Sequence, residues 1–324
     1  MSVKFPPKKL IKQKLIDSCR SFFIQKGFQE ITPPVLAPAY PLEPGITLFK
    51  TKIKDSLKEY YLSPSPETHL KRLLSQGLGN CFAICPAFRD EPSSPTHQPE
   101  FTILEWYELG KNYQDLMQTT EKLISQLIPT LSYQNKKYDT SPPWPRISLK
   151  QAFQKYAQID LSQTLTLKTL SPLAQKMGLQ VSSSSTWEEL YHELFLNFIE
   201  PQILKNEGES KPVILFNYPT TLSPLCRPLG NGFSERFEFY LAGLELGDCY
   251  TELTDPNTQK QFFKEEDDHR KKHHLPTHPW DKELVKALEK GLPPCSGMAI
   301  GLDRLAMLQA NSTNINNILF FPLS

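Results

Sequence analysis

The chain has 324 residues, with 36 Lys plus Arg against 35 Asp plus Glu and a formal net charge of +1. That length allows one large domain or two ordinary ones with a buried core, and the charge balance lacks the basic excess of a non-specific nucleic-acid binder. With 39% apolar and 22% charged residues, no apolar run of membrane-spanning length and no apolar leader in Met1–Pro7, it reads as a globular, cytoplasmic protein with no membrane partner.

Residues 8–27 carry Leu10, Ile11, Leu15, Cys19, Phe22 and Phe23 near a period of 3.6, which predicts an amphipathic helix stopped at Gly27. Lys8, Lys9, Lys12 and Lys14 fall mostly on the other, solvated face. Phe28 to Leu36 reads as a short extended segment ended by prolines, and Tyr60-Tyr61-Leu62 as a strand. A helix from Thr68 to Gln76 follows, with Ser65 as N-cap, Pro66 at the first helical position and Glu67 in the first turn. Cys81–Phe88 and Phe101–Leu109 are apolar runs suited to strands, joined by a Pro- and Ser-rich loop.

Residues 112–210 are expected to form a mainly helical insertion, with helices near 114–128 and 186–200, loops at 129–146 and a turn at Ser182–Ser185. Val213 to Phe216 resumes the strand pattern, and Phe233 to Leu253 and Met298 to Leu308 complete it. The 29 prolines mark rigid loops. The six cysteines, at 19, 81, 85, 226, 249 and 295, lack zinc-finger spacing and read as reduced, buried thiols.

Three constellations carry chemistry. Phe88-Arg89-Asp90-Glu91, a loop, then His97-Gln98-Pro99-Glu100-Phe101 would bring an Arg, a Glu, a His and a ring to one site. Arg forks onto phosphate and the ring stacks on a base; alternatively Arg89 and Glu91 are a cross-strand ion pair and Phe101 is core. Glu238, Glu245 and Glu252 are spaced by seven in strand-like sequence. A turn at Leu241-Ala242 would set Glu238 opposite Glu245, a pair of hard oxygen ligands for Mg²⁺ or else a solvated face. In the third, Gly301 ends a strand and Arg304 lies early in the next helix, where backbone and guanidinium meet an anion. The run Asp267 to His274 holds three His among acids and bases and reads as a solvated helix face rather than a metal site.

Taken together these segments resemble the three motifs of class II aminoacyl-tRNA synthetases, most specifically the lysyl branch. Phe28–Leu36 with Pro34 looks like motif 1, Arg89-x-Glu91 through Phe101-Thr102 like motif 2, and Gly301-Leu302-Asp303-Arg304-Leu305 like motif 3. Ser65-Pro66-Glu67, Tyr218-Pro219, Arg236-Phe237-Glu238 and Glu252-Leu253-Thr254-Asp255 match lysyl-type segments in order. The likeness implies an α+β catalytic fold over 1–324, an antiparallel sheet flanked by helices, and a homodimer through motif 1. Because motif 1 begins so near residue 1, the expectation is a core without an anticodon-binding domain. That resembles the elongation factor P–(R)-β-lysine ligase family, as do Pro99 to Tyr107 and Ala299, where lysyl-tRNA synthetases usually carry Gly.

The resemblance implies a role for each matching position. Arg89 and Arg304 would bind the α- and γ-phosphates of ATP and act in catalysis. Glu91, Gln98, Phe101, Glu245, Leu246 and Gly301 would complete the ATP site, with Gln98 where the family usually has Asn. Glu238 and Glu245 would hold Mg²⁺. Ser65, Pro66 and Glu67 would meet the substrate amino group, and Glu105, Tyr107 and Glu252 the far ammonium of lysine or β-lysine. The implied partner is elongation factor P, with tRNA not expected. The alternatives are a lysyl-tRNA synthetase-like core charging tRNA and a non-catalytic amino-acid-binding regulator.

Overall fold

The computed structural model describes residues 7–55 and 57–323. The absence of a leader was read on Met1–Pro7, of which residues 1–6 lie outside the described residues. One eight-stranded sheet organises the chain: β1 (Gln29–Glu30), β2 (Cys81–Phe88), β3 (Glu100–Leu109), β4 (Arg146–Ser148), β5 (Val213–Pro219), β6 (Phe233–Leu241), β7 (Leu244–Thr251) and β8 (Cys295–Gly301). Their order in space is β1-β2-β3-β8-β7-β6-β5-β4. The six inner strands pair antiparallel, as expected, while β1 on β2 and β4 on β5 add a parallel pair at each edge. Beside it run α1 (Ile11–Gln25), α2 (Glu67–Leu74), α3 (Tyr113–Leu127), α4 (Leu149–Ala157), α5 (Leu167–Lys176), α6 (Trp187–Leu194), α7 (Glu200–Asn206), α8 (Pro256–Lys272), α9 (Lys282–Gly291) and α10 (Leu302–Gln309).

Successive residues of a strand point to opposite faces. Leu104, Trp106, Phe237, Phe239, Cys249, Met298 and Ile300 therefore fall on one face and share a core with α1, α3 and α10. Leu15, Cys19, Phe22 and Phe23 are the buried stripe of α1. Burying each such large side chain is worth about 1.5–3 kcal/mol. The opposite face is covered only at its ends. At one end Leu70, Leu74 and Leu288 of α2 and α9 pack on Cys81, Ala83 and Ile103. At the other, α4 to α7 pack on Val213, Leu215, Tyr218 and Tyr240. The middle of that face is left as the floor of a cleft.

Some expectations need correction. The segment 129–146 is not all loop: Thr130–Tyr133 and Lys136–Asp139 form a hairpin, and β4 begins at Arg146. The helix expected at 186–200 is α6, continued through a π-helical turn (Phe195–Ile199) into α7. Helices α4 and α5 were not anticipated, although Ser148–Gln151 and Thr166–Thr169 close reciprocal capping boxes at their starts. Helix α3 belongs to the main core through Leu116, Met117, Leu123 and Ile124. Lys12 is not merely solvated, since its ammonium lies 2.6 Å from Asp303 at the start of α10. All six cysteines are free and buried.

Candidate active site

The floor of the cleft is written by strand register. On β8, Gly297, Ala299 and Gly301 alternate with the core residues Met298 and Ile300. They lie opposite Tyr107, Glu105 and Ile103 of β3. On β6 the same alternation puts Arg236, Glu238 and Tyr240 on this face. Two adjoining cavities stand on the floor, one of about 260 Å³ and one of about 40 Å³. Glu43, Arg89, Asp248, Tyr250 and Ala299 are among the residues that line both.

The hairpin joining β6 and β7 turns at Ala242-Gly243, both with left-handed backbone (φ 53° and 84°), one residue later than expected. Glu238 consequently lies opposite Asp248, not Glu245; Glu245 pairs with Tyr240. The register shifts between Phe239 and Tyr240, and this bulge matters chemically. Glu245 and Asp248 are an odd number of residues apart and would face opposite ways on a regular strand. The extra residue, Leu246, is taken into the core, and both acids line the larger cavity. Gly247 is required at the bulge, because a Cβ there would stand 2.1 Å from the Ala299 carbonyl oxygen. Glu238 is not on the cavity wall. Its carboxylate accepts from Arg236 at 2.7 Å and from the Tyr240 hydroxyl at 2.9 Å. Arg236, buried between the rings of Tyr218 and Tyr250, carries that pair.

Burial and the neighbouring carboxylates Glu238 and Asp248 push Glu245 up to about 8. Burial and Glu67 do the same to Glu43, also to about 8. Carboxyls held this high ionise most readily when a cation is brought beside them. Among the described residues no cluster of three His, Cys, Asp or Glu offers a protein-only metal cage. Two wall carboxylates, Glu245 and Asp248, nevertheless suit Mg²⁺, which usually takes one or two carboxylates and completes its shell with phosphate and water.

The larger cavity brings together Arg89, Glu91, Gln98, Phe101, Glu245, Leu246, Gly301 and Arg304, all foreseen as nucleotide contacts. The Arg89 guanidinium lies 5.4 Å from the centre of the Phe101 ring, and its Nε is buried with no hydrogen-bond partner among the described residues. Among the described residues no ion pair joins Arg89 to Glu91, which leaves a donor for an anion, while the Phe101 ring packs against the core beside Ile103 as well as lining the cavity. Arg304 donates to the carbonyls of Glu245 (2.9 Å) and Thr96 (3.3 Å) and abuts His97 Nε2. Burial and the two arginines lower His97 to about 4. The neutral ring can thus give its Nδ1 proton to Ser94 Oγ at 2.9 Å, keeping the Nε2 lone pair for Arg304. Gln98 donates to Asn316 at 2.7 Å while its buried carbonyl oxygen has no partner among the described residues. Asp303 accepts the Thr102 N–H at 2.5 Å and so ties the start of α10 to β3.

The smaller cavity is lined by Ser65, Glu67, Glu105, Tyr107 and Glu252, again foreseen. Helix α2 starts at Glu67, whose N–H donates to Ser65 Oγ at 3.3 Å. Pro66 precedes it and does not line the cavity. Tyr107 donates to Glu105 at 2.7 Å. Burial and Glu67 hold the Glu105 carboxyl well above the usual range, and burial with the Lys71 and Glu67 charges leaves Glu252 at about 8. A Cβ on Gly297 would lie 2.4 Å from the Tyr107 ring and 2.8 Å from Glu252 Oε1, so this cradle exists because residue 297 has no side chain.

Residues of the site that were missed include Glu43, Arg236, Asp248, Tyr250, Lys71 and Arg270. Lys71 is wholly buried, with its ammonium against both Glu67 and Glu252. The only sequence signal was its place one helical turn after Glu67. Arg270, read as part of a solvated face, is buried and donates to the carbonyls of Glu43 (2.5 Å) and Ile46 (3.1 Å). It braces the 43–46 loop over the cavity. His269, His273 and His274 form no metal cluster.

Comparison with known proteins agrees with this geometry. A family model described as "tRNA synthetases class II (D, K and N)" matches residues 8–324. A lysine–tRNA ligase of Chloroflexus aurantiacus is 32% identical over 320 residues, covering 95% of this chain and 63% of the relative. One from Dehalococcoides mccartyi is 33% identical over 325 residues, with 97% and 63% covered. One from Saccharolobus solfataricus is also 33% identical over 325 residues, with 97% and 64% covered. The chain thus spans a little under two thirds of the length of these relatives.

Proposed function

Since the chain belongs to the class II tRNA synthetases of the D, K and N type, we propose that it activates a lysine-like diamino acid with ATP and passes the acyl group to an amine on a protein. The substrate carboxylate oxygen attacks the α-phosphorus of ATP, and the bond to pyrophosphate breaks. Arg89 and Arg304 would bind and align the phosphates, with Phe101 under the base. Mg²⁺ held by Glu245 and Asp248 would supply further neutralisation of the triphosphate. Glu67, Glu105, Tyr107 and Glu252 would hold the ammonium groups. An ε-amino nitrogen then attacks the acyl carbonyl, AMP leaves, and the amine gives up a proton. The observation that carries this reading is the pair of adjoining cavities, one with the guanidinium groups of Arg89, Arg236 and Arg304 on its wall and the other lined by buried carboxylates.

The finer proposal is (R)-β-lysine as the amino acid and a lysine of elongation factor P as the acceptor, in a cytoplasmic homodimer with a single catalytic domain. Its support is Ala299, whose methyl lies on the floor shared by both cavities, opposite Glu105. A displaced amino group moves by about one bond, ~1.5 Å, the scale on which one methyl reshapes a pocket. Ala299→Gly should shift preference toward α-lysine; an unchanged preference refutes that link. A second reading, transfer to tRNA, is favoured by the relatives' activity, since each is a lysine–tRNA ligase. The deciding experiment offers purified elongation factor P and tRNA together with ATP and each lysine isomer. A mass increase of one lysyl group on the protein supports the first reading; acylated tRNA with unmodified protein supports the second.

A further inference from the structure

The least expected group in the site is the Lys71 ammonium. Its side chain is 2% exposed, and it touches Oε1 of Glu67 and Oε2 of Glu252 at once. Burial alone would favour the neutral amine, but the two carboxylates raise it above its ordinary value, so it remains a cation. Lys71 lines neither cavity, whereas Glu67 and Glu252 both line the smaller one. The ammonium therefore sits behind the two acids. Each gives one oxygen to Lys71 while its carboxylate still lines the smaller cavity; Glu252 Oε1 is the atom that bounds the space over Gly297.

A lysine serving stability alone needs one partner, and neither partner need face a cavity. Here one fixed charge is shared between the acid at the substrate amino group and the acid at the far ammonium. We propose that Lys71 is a positioning residue that couples recognition of the two ends of the amino acid: it holds one oxygen of each carboxylate, fixes their separation and so selects a ligand with two ammonium groups at one spacing. This rests on the reading that the smaller cavity takes a lysine-like substrate. Without Lys71, the two buried acids lose their shared partner and their fixed separation, and the pocket no longer presents two anchors at one spacing.

The test is calorimetric binding of lysine, 6-aminohexanoate and 2-aminohexanoate to the wild type and to Lys71→Met, with pyrophosphate exchange measured alongside. Lysine binding should weaken tenfold or more in Lys71→Met, with the lysine KM rising in step and kcat within threefold. The singly aminated analogues should lose less. In the wild-type background, Glu67→Gln and Glu252→Gln should be coupled at least fivefold in lysine affinity. That cycle decides the matter even if Lys71→Met does not fold. Lysine affinity within twofold of wild type in Lys71→Met, or additive effects of the two Gln variants, overturns the proposal while leaving the substrate reading intact. Failure of the wild type to bind any lysine isomer overturns both.

Discussion

The Gly297→Ala variant isolates the amino-acid end of the site. The backbone at 297 lies outside the left-handed region, so alanine brings no conformational strain. The whole perturbation is one methyl, 2.4 Å from the Tyr107 ring and 2.8 Å from Glu252 Oε1. Ordinary contact needs about 1 Å more clearance from the ring. Tyr107 is 2% exposed and bonded to Glu105, so it has little freedom to retreat from β8. Overpacking a dense site by one methyl costs about 1–3 kcal/mol. If the ring yields toward the cavity, that cost appears in substrate binding as roughly a five- to 150-fold loss. Pyrophosphate exchange at varied lysine and varied ATP reads the two ends separately. The lysine KM should rise at least tenfold while the ATP KM stays within twofold. An unchanged lysine KM, or equal losses at both ends, would refute the assignment of this cavity to the amino acid.

Three further outcomes follow from the same geometry. Glu43, Glu245 and Glu252 are raised from 4.5 to about 8, whereas a cationic ligand requires them ionised. Lysine and Mg²⁺ should bind more tightly as pH rises from 6 to 8 and release protons on binding, which calorimetry in buffers of different ionisation enthalpy detects. The linked effect on folding has the opposite sign. These groups bind more protons folded than unfolded, so their contribution to stability is full below about 4.5 and is lost as pH rises toward 8; a melting temperature that instead climbs between pH 5 and 8 without ligand would argue against buried carboxyls. Arg304→Lys keeps the charge but loses the fork that donates to Glu245 and Thr96, and should lower kcat about 100-fold with little change in melting temperature. Asp303→Ala leaves the Lys12 ammonium and the Thr102 N–H without their acceptor, and should cost about 1–3 kcal/mol in denaturant unfolding; a cost near zero would show that the tie between α10 and β3 is idle.

Where the chain alternates or runs apolar, the fold could be read from it. Cys81–Phe88 is the strand β2 to the residue, and Phe101–Leu109 lacks only Glu100 of β3. The apolar stripe of α1 is the buried one. Many residues of the two cavity walls had been named, Arg89, Phe101 and Gly301 from their motifs and Glu105 and Tyr107 through the family resemblance, and all of them sit on or beside strands with clear patterns. The errors arise where local rules are broken. A bulge beside Gly247 shifts the β6–β7 register, and sequence spacing alone then pairs Glu238 with the wrong acid. Asp248 reaches the wall in its place. Helices α4 and α5 are short, polar or interrupted by Pro172, so capping was a better guide to them than hydrophobic periodicity. Glu43, Lys71 and Arg270 acquire their roles only through contacts over long sequence distances or through complete burial. A charged residue in a polar run gives no sign of either.

The central claim is that two guanidinium groups, a divalent cation and an acid-lined pocket meet over one sheet to make an acyl-adenylate. ATP–pyrophosphate exchange tests it most directly, run with each lysine isomer, with other amino acids, and with and without Mg²⁺. Exchange that requires Mg²⁺ and a lysine isomer, and that is abolished in Arg89→Ala, is the predicted result. A folded protein that binds ATP yet exchanges pyrophosphate with no amino acid would contradict it.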